Sequence, residues 1–593
     1  MSEKGEYSSY RETAQDLLPV LKRRTGNNVY DIYPSFKIAD NQIFTGFESL
    51  AEKILDNRSV TIDGYSGVFF DLFVSRLTVF LNKRNLSVKV IGTAGLLKPP
   101  VDIAELKAPF LGGHDPLFGY RSSLILEDFF VPGSLESASP DPEADINIIA
   151  GPGAALAGWP GILMYIDIPK NEIQFRARAG SVTNLGMTHA RDPAIMYKSF
   201  YFVDWVVLNR HKRKILPGVD FYIDGQRPEI PVFICGDILR GALSLMSHSP
   251  IRARPWFEPG AWGGKWIMNN IPGLSKNIPN YAWSFELISP ENGLIIESSS
   301  IMLEVSFDCL MYSEAEQVLG DCYPKYGTDF PIRFDFLDTF DGGNLSIQCH
   351  PRPKYIRDNF GEPFPQEESY YILDSKDDAS VYLGFRDDID PDLFKRELEK
   401  SQITGTEIDP ERFILKHPSG KHDLFLIPFG TIHGSGRNNL VLEISTTPYI
   451  FTFKMYDWVR SDLNGKPRTL NIKRGMDNLF FDRKGRDVRE NLICKPELTE
   501  SGDSWEAYNL PTHETHSYGI LRYHFRENIE IQTGNKCLVM SLTEGKTILV
   551  ESANGNTEEF HFAETFIIPA AAGSIKIYNK SKEEAILVSA FIK

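Results

Sequence analysis

The chain has 593 residues, more than normally fold around a single hydrophobic core, so its length predicts about three domains. Its composition, with 42% apolar and 24% charged residues, is that of an ordinary soluble globular protein. The formal net charge of −16 argues against a broad nucleic-acid-binding surface, because neutralising phosphates requires concentrated Lys and Arg. A few local cations would still be enough to bind a small anionic molecule.

Three features of the sequence predict its compartment. No run of 18 uncharged apolar residues is present, so we expect no contact with a membrane. The polar, acid-containing N-terminus fits neither a secretory signal nor a transit peptide. The six cysteines are scattered without a Cys-x-x-Cys pair, which indicates free thiols in a reducing compartment. We therefore expect a cytoplasmic protein.

Residues 1–240 alternate apolar strand-like runs with helical stretches, which is typical of βαβ units and predicts an α/β domain with a parallel sheet. The strand-like runs are SVTIDG (59–64), LSVKVIG (86–92), INIIAGPGAAL (146–156) and GILMYIDIP (161–169). The segment after the first of them, residues 68–84, has a helical composition.

The first of these strands and the segment after it, VTIDGYSGVFFDLF (60–73), resemble the strand, loop and helix of a uridine-kinase-like P-loop domain. A working P-loop needs G-x-x-x-x-G-K-[ST], whose backbone amides and Lys hold phosphates. Aligned on Gly64, the last Gly, the Lys and the Ser/Thr are replaced by Phe69, Phe70 and Asp71. The resemblance therefore implies a degenerate kinase-like domain that mediates protein contacts or self-association. The alternative is an unrelated α/β domain.

From residue 241 onward, short apolar runs separated by Gly, Pro, Asn and Asp become the rule. This pattern is typical of antiparallel sandwiches and barrels. We predict one mainly-β domain at 241–494, with a helical insertion near 388–412, and a further β-domain at 495–593.

The segment NLSIQCHP (344–351) contains the first two candidate metal ligands. Side chains alternate between the two faces of a strand, so Gln348 and His350 should point to the same side. Cys349 should point away from them, and we interpret it as a packing thiol. One imidazole and one amide oxygen on a single face form half of a metal site.

Two further candidates follow on later strands. Glu368 lies near the start of EESYYILD (367–374), and His433 follows a turn built on Pro428 and Gly430. The four candidates together form an N₂O₂ set: Gln348, His350, Glu368 and His433. Such a set suits Zn²⁺ and leaves room for water or substrate, although Mn²⁺, Fe²⁺, Co²⁺ and Ni²⁺ would also be accepted. The alternative is that these are unrelated barrel residues with satisfied hydrogen bonds.

These motifs, in their order, resemble the class I phosphomannose isomerases over residues 250–593. The matching segments are PWFEPGAWGGKW (255–266), LSIQCHP (345–351), EESYYIL (367–373), IPFGTIHGSGRNNLVLEIS (427–445) and YDWVRSDLNGKPRTLNI (456–472). The resemblance implies tandem cupin barrels after the α/β domain: a catalytic metal-binding cupin at 241–494 and a metal-free one at 495–593.

The resemblance also implies a reaction and a set of roles. The family interconverts mannose 6-phosphate and fructose 6-phosphate through a cis-enediol, with one Zn²⁺ per chain as a Lewis acid. By matching position, the metal ligands would be Gln348, His350, Glu368 and His433. Arg460 would stabilise the enediolate or help the proton transfer, Lys466 would suit the phosphate, and Glu443 is a candidate base.

One position departs from the family. Gln366, which the resemblance makes a candidate substrate-binding residue, replaces a lysine that the family carries two residues before the ligand glutamate. Glutamine can carry neither a titrating proton nor a charge. Two alternatives to the mannose 6-phosphate isomerase therefore stay open. One is a catalytically weak metal cupin that binds sugar phosphate as a sensor or scaffold, and the other is an isomerase for a different sugar.

Overall fold

The computed structural model describes residues 10–22 and 29–593. Within them, the N-terminal region up to residue 240 contains a seven-stranded sheet. Its strands lie in the order Ile43–Thr45, Val232–Cys235, Phe221–Asp224, Ile162–Asp167, Ser59–Gly64, Ile146–Ala150 and Val88–Gly92. The last five of these are parallel to one another, as the alternation of strands and helices predicts, and Val232–Cys235 is antiparallel to both of its neighbours.

Helices cover this sheet and bury its apolar side chains. They are Phe47–Ile54, Phe70–Asn82, Pro100–Lys107, Ser134–Ser137, Lys170–Arg178, Pro193–Ser199, Trp205–Ile215 and Gly236–Met246. Ile62 and Ile148 of the sheet pack against Phe73 and Leu77 of the second helix in one buried cluster. None of the helices in the described residues is both long and apolar enough to cross a lipid bilayer.

The carboxylate of Asp63, near the end of the strand Ser59–Gly64, is bound by the loop after the neighbouring strand Ile146–Ala150. The carboxylate of Asp63 accepts hydrogen bonds from the backbone N–H groups of Gly153 (3.2 Å) and Ala155 (2.8 Å). It also lies 2.8 Å from His211 Nε2. The carboxyl end of a central parallel strand is where such sheets bind anionic ligands, and here a carboxylate occupies that position.

The middle region, residues 241–494, is built on two antiparallel sheets. The larger one has the strand order Leu424–Ile427, Glu368–Ser375, Asn439–Thr446, Ile332–Asp338, Trp283–Leu287 and Trp256–Glu258. The smaller one has the order Ile414–Pro418, Ser380–Phe385, His433–Ser435, Ile347–Cys349 and Phe453–Tyr456. The candidate ligands are distributed over both sheets, so the space between the sheets positions the site.

Helices flank the two sheets of the middle region. They are Trp266–Asn270, Asp308–Leu319, Tyr323–Tyr326, Pro353–Phe360, Pro391–Thr404, Ile472–Asn478 and Gly485–Asn491. The helix Pro391–Thr404 lies in the predicted insertion. It begins after Asp390, whose side chain accepts hydrogen bonds from the first backbone N–H groups, and ends at Gly405 with a positive φ of 66°.

The C-terminal region, residues 495–593, also has two antiparallel sheets. Six strands form the order Glu497–Ser501, Trp505–Leu510, Tyr518–Phe525, Ala585–Ile592, Leu538–Glu544 and Thr565–Ile568. Four others form the order Asn528–Gln532, Ser574–Asn579, Thr547–Ser552 and Thr557–His561. Apolar side chains of both sheets meet in one core, where the rings of Phe560 and Phe566 stack at 4.0 Å.

The three regions are packed together rather than strung on linkers. A three-stranded sheet joins Ser35–Lys37, near the N-terminus, in parallel with Gly293–Ser298, which pairs in turn with Ile301–Ser306. A buried junction cluster of four charged residues also links the first two regions: Lys170, Lys212 and Asp167 from the N-terminal region and Asp308 from the middle region.

Candidate metal centre

Three of the candidate ligands converge between the two sheets of the middle region. His350 follows the strand Ile347–Cys349, and Glu368 and His433 each begin a strand. The Oε2 atom of Glu368 lies 2.9 Å from Nε2 of His350 and 3.4 Å from Nε2 of His433. All three donor atoms lie within 4.8 Å of one another, and all three side chains are buried. This arrangement can surround one metal ion.

Hydrogen bonds orient both imidazoles towards this point. Nδ1 of His350 lies 3.0 Å from the carbonyl oxygen of Phe451, and Nδ1 of His433 lies 2.9 Å from that of Thr431. A carbonyl can only accept, so each Nδ1 carries the proton and each Nε2 has a free lone pair. Burial lowers the pKa of His433, which favours the neutral form that binds metals.

The facing atoms lack ordinary partners. His350 Nε2 and Glu368 Oε2 are buried, and neither makes a well-directed hydrogen bond within the described residues. Burial by itself would raise the pKa of Glu368, but the imidazoles of His350 and His433, when protonated, outweigh it and hold that pKa well below its ordinary value. A buried carboxylate facing two imidazole lone pairs fits a divalent cation, which would satisfy all three atoms at once.

Gln348 lies beside this group. It is directly opposite His433 in the strand ladder, and its side-chain Nε2 is 3.4 Å from His433 Nε2. The two ends of an amide exchange by a half turn, so Gln348 is close enough to add an oxygen ligand. The structure therefore brings together all four side chains that the sequence proposes as ligands.

Gln366 holds the second oxygen of the ligand carboxylate. Its Nε2 donates to Glu368 Oε1 at 2.8 Å, and its Oε1 accepts from the backbone N–H of Phe451 at 3.1 Å. Phe451 also anchors His350 through its carbonyl group, so one backbone residue fixes two ligands. In the structure, Gln366 therefore orients Glu368. The family lysine at this position gave no reason to expect this role.

Glu443 faces the same cavity but is paired with a residue that the sequence analysis missed. Arg333 forms an ion pair with Glu443, lies 3.4 Å from Glu368 Oε1 and donates to Ser445 Oγ at 2.7 Å. Arg333 and Asp335 are two residues apart on the strand Ile332–Asp338, so their side chains point to the same face. Burial raises the pKa of Asp335 to about 6, against the lowering influence of Arg333. Two charged residues spaced i, i+2 within an apolar strand were the available signal.

Two cations that the sequence analysis missed line the cavity on another side. Lys454 lies opposite Gln348 in the ladder, and burial, together with Arg468, lowers its pKa to about 8. Arg468 pairs with Asp457 at 2.5 Å. A lysine within the apolar strand FTFKMY was the signal for the first of them.

The two predicted cations lie outside the cavity lining. Arg460 is partly buried and bonds to Asp457, which also holds Arg468. Lys466 is 72% exposed, and its Nζ lies 4.0 Å from the carboxylate of Asp192. The cavity itself has a volume of about 530 Å³, and its lining includes both Lys454 and Arg468.

An aromatic surface forms the remaining side of the cavity. Trp256 and Phe285 stack at 4.1 Å, and Trp283 contacts Trp262 edge-on at 4.8 Å. All four rings line the cavity. Carboxylates, cations and a broad aromatic face around a metal-ligand set are what a small polar, anionic ligand with an apolar face would require.

Comparison with known proteins identifies relatives of part of the chain. Residues 46–248 match the model of a domain family of unknown function, DUF8485. The probable mannose-6-phosphate isomerase GmuF of Bacillus subtilis is 26% identical over 333 residues, which cover 56% of this chain and 96% of that protein. The mannose-6-phosphate isomerase of Streptococcus mutans is 28% identical over 226 residues, covering 37% and 65%. Part of this chain is homologous to mannose-6-phosphate isomerases.

A solved structure is also similar. The mannose 6-phosphate isomerase from Bacillus subtilis has 22% sequence identity and a TM-score of 0.47, and the match covers 58% of this chain and 100% of that one. A putative mannosephosphate isomerase from Archaeoglobus fulgidus has 17% identity and a TM-score of 0.45, with 58% and 97% coverage.

Proposed function

We propose that this chain is a metal-dependent aldose–ketose isomerase that interconverts mannose 6-phosphate and fructose 6-phosphate through a cis-enediol. The observation that carries the proposal is the convergence of His350, Glu368 and His433, whose donor atoms lie within 4.8 Å in a buried site. The homologous mannose-6-phosphate isomerases support the reaction class.

The ligands would be Gln348, His350, Glu368 and His433, and one Zn²⁺ per chain is our first choice among divalent first-row metals. When bound, the metal would polarise the substrate carbonyl and its neighbouring hydroxyl as a Lewis acid. The proposal draws its support from the two anchored imidazoles and from the orphaned, buried oxygen of Glu368.

Side chains of the protein would transfer the substrate proton and stabilise the negative charge of the phosphate and the enediolate. Glu443 faces the cavity, and we assign it the proton transfer between the two substrate carbons. Arg333 pairs with Glu443 and holds its carboxyl group in place. Lys454 and Arg468 would bind the phosphate or the developing enediolate, because both line the cavity.

The two cations proposed from the sequence take different roles in this proposal. Arg460 would act by holding Asp457, the partner of Arg468. Lys466 is exposed and outside the lining, so we move the phosphate contact to Lys454.

A second candidate function is a metal cupin that binds sugar phosphate as a sensor or scaffold. The observation that favours it is Gln366, a side chain without a titrating proton at the site where the family has lysine. An isomerase for another sugar is the third candidate, since the same glutamine would reshape the site without removing Glu443.

Two measurements on the same sample distinguish these candidates. One is an assay for the conversion of mannose 6-phosphate to fructose 6-phosphate, and the other is a determination of the metal content. Turnover with about one metal ion per chain would support the isomerase. Metal-loaded protein that is inert, while Gln366→Lys gains activity, would support the sensor. Activity on another hexose phosphate alone would support the third candidate. A metal-free, inert protein that behaves like its His350→Ala variant would remove the metal site altogether.

We also propose that the N-terminal region is a degenerate P-loop kinase-like domain. Its central strand lies between parallel neighbours on both sides, and the Asp63 carboxylate near the end of that strand is held by backbone N–H groups of the loop after the neighbouring strand Ile146–Ala150. The Phe69 ring, where a P-loop has glycine, lies 4.5 Å from the Arg176 guanidinium. We therefore expect no binding of ATP in equilibrium dialysis, and tight ATP binding would contradict the proposal.

A further inference from the structure

A helix of the N-terminal region reaches the cavity of the middle region. We call this helix, Lys170–Arg178, the wall helix. Gln174 and Arg178 of the wall helix line the same cavity as Glu368 and Glu443. Tyr197, on the next helix of the N-terminal region, lines it as well. The pocket is therefore built by two regions of the chain.

Buried polar contacts fix the wall helix against the middle region. Glu291 accepts hydrogen bonds from Gln174, from the Tyr197 hydroxyl at 2.8 Å and from the Tyr449 hydroxyl. Because Glu291 is buried and serves donors from both regions, this edge of the pocket has one defined geometry.

Arg178 forms the second contact across this boundary and keeps donors free. Its Nη1 lies 2.9 Å from Oε1 and 3.1 Å from Oε2 of Glu258. Within the described residues, Nε and Nη2 of Arg178 make no hydrogen bond, and the side chain is 32% exposed. A planar guanidinium in this state can donate to a ligand while its other edge holds the carboxylate.

Glu258 belongs to an ordered aromatic face. Trp256 and Glu258 are spaced i, i+2 on one strand, so they point to the same side. In the neighbouring strand, Phe285 lies opposite Trp256 and Trp283 lies opposite Glu258. Three flat rings and one carboxylate, which is bound to Arg178, therefore lie on the same face of the sheet. The pair offers donors and acceptors without net charge, which suits neutral hydroxyl groups, whereas the phosphate suits Lys454 and Arg468.

We propose that the wall helix completes the substrate pocket, and that Arg178 with Glu258 binds sugar hydroxyls over the aromatic face of Trp256, Trp283 and Phe285. This inference rests on the proposed function, since it assigns the part of a sugar phosphate that lies away from the metal and the phosphate contacts. It makes the N-terminal region a determinant of substrate selection.

The test is steady-state kinetics of the metal-loaded full chain on mannose 6-phosphate, comparing Arg178→Ala, Arg178→Lys and Arg76→Ala with the parent protein. Arg76 is the matched control, because it also forms an arginine–glutamate pair in the N-terminal region, 3.5 Å from Glu229, but does not line the cavity. We expect Arg178→Ala to raise KM about tenfold with kcat within about threefold. Arg178→Lys should raise KM about threefold and Arg76→Ala should change neither constant by more than about twofold.

Intrinsic tryptophan fluorescence measures binding of mannose 6-phosphate in parallel, because Trp256 and Trp283 line the cavity. Turnover by the parent with equal KM in all variants overturns the role of Arg178 and leaves the isomerase standing. Binding without turnover that only the Arg178 variants weaken supports the pocket and overturns the isomerase. A parent that neither binds nor reacts overturns both. If Arg178→Ala does not fold, an unchanged KM in Arg178→Lys overturns the role of Arg178.

Discussion

The metal centre and the junction cluster both contain buried carboxylates, and they differ in the groups that surround those carboxylates. In each place three potential ligands bring their donor atoms within 4.8 Å of one another: His350, Glu368 and His433 in the first, and, in the second, Asp167 and Asp308 of the cluster with the adjacent Cys309. All six side chains are buried. Convergence and burial alone therefore do not distinguish a metal site from a structural ion cluster.

At the junction, the carboxylates already have their cations. Lys212 contacts both Asp167 and Asp308, and Lys170 lies 2.9 Å from Asp308. Burial raises the pKa of the Cys309 thiol to about 12, so the thiol stays protonated and is a poor ligand. This cluster is complete as it stands and joins two regions of the chain.

At the metal centre, by contrast, buried polar atoms lack partners. Glu368 faces two imidazoles whose Nδ1 atoms are already bonded to backbone carbonyls, and its Oε2 has no well-directed hydrogen bond within the described residues. Buried polar atoms normally have partners, so these atoms fit a bound cation. The criterion that separates the two places is the balance of partners, which the following variants test.

The largest effect is expected from His433→Ala. The variant removes one of two imidazoles, so we expect the metal content to fall from about one ion per chain to none and turnover to fall to background. Metal analysis of desalted protein and the isomerase assay measure the two quantities. Cys309→Ala is the matched control at the junction and should change neither. Metal loss in that control, or metal retained in His433→Ala, would remove the distinction between the two places.

Lys212→Ala should have the opposite signature. It leaves Asp167 and Asp308 short of a cation in a buried place, so we expect the free energy of unfolding to fall by about 3–5 kcal/mol while the metal content stays the same. Thermal unfolding measures the loss. Lys214→Ala, two residues along the same helix at an exposed position, should leave the melting temperature nearly unchanged. Equal melting temperatures for the two variants would show that the cluster does not stabilise the junction.

Gln366→Leu tests how the centre is held in place. The variant removes the donor to Glu368 Oε1, so we expect the metal affinity to fall about 10–100-fold, the usual cost of losing a residue that orients a ligand. Competition with a chelator measures the affinity. Gln366→Lys keeps a donor at this position and should bind the metal about as tightly as the parent. A leucine variant with the parent affinity would contradict the orienting role.

The sequence could predict parts of this site and not others, for a physical reason. Gln348 and His350 are two residues apart, and the alternation of a strand places them on one face. Glu368 and His433 come from other strands, and no local pattern places them beside the first pair; their ligand chemistry and the family resemblance suggested the grouping. Local periodicity says which side a residue faces, but strand order is set by packing across the whole chain.

The same limit applies to the fold. The parallel sheet could be predicted because each βαβ unit is local in sequence. The strand Ser35–Lys37 has three residues and pairs with residues 295–297, a contact for which no local pattern exists. No local sequence pattern predicts the position of the wall helix beside the cavity either. Lys454 and Arg333 did leave a signal, because a charge within an apolar strand has to face a cavity or a partner.

The junction cluster and the cavity each contain a buried lysine, and the pKa values of these two lysines shift in opposite directions. Burial lowers the pKa of both, but Asp167 and Asp308 raise that of Lys212 well above its ordinary value. Lys454 instead lies near Arg468, and its pKa falls to about 8. In the proposed function, its ammonium would attract the phosphate of a substrate below pH 8, and above pH 8 it would lose the proton and the attraction with it.

We therefore expect KM for mannose 6-phosphate to rise up to about tenfold between pH 7 and pH 9, because one unit above the pKa only about a tenth of the amine is charged. Lys454→Arg keeps its charge over this range, so its KM should stay flat. Steady-state kinetics at several pH values measure both profiles. If the two profiles rise in parallel, the titrating group is elsewhere, and the phosphate does not bind at Lys454.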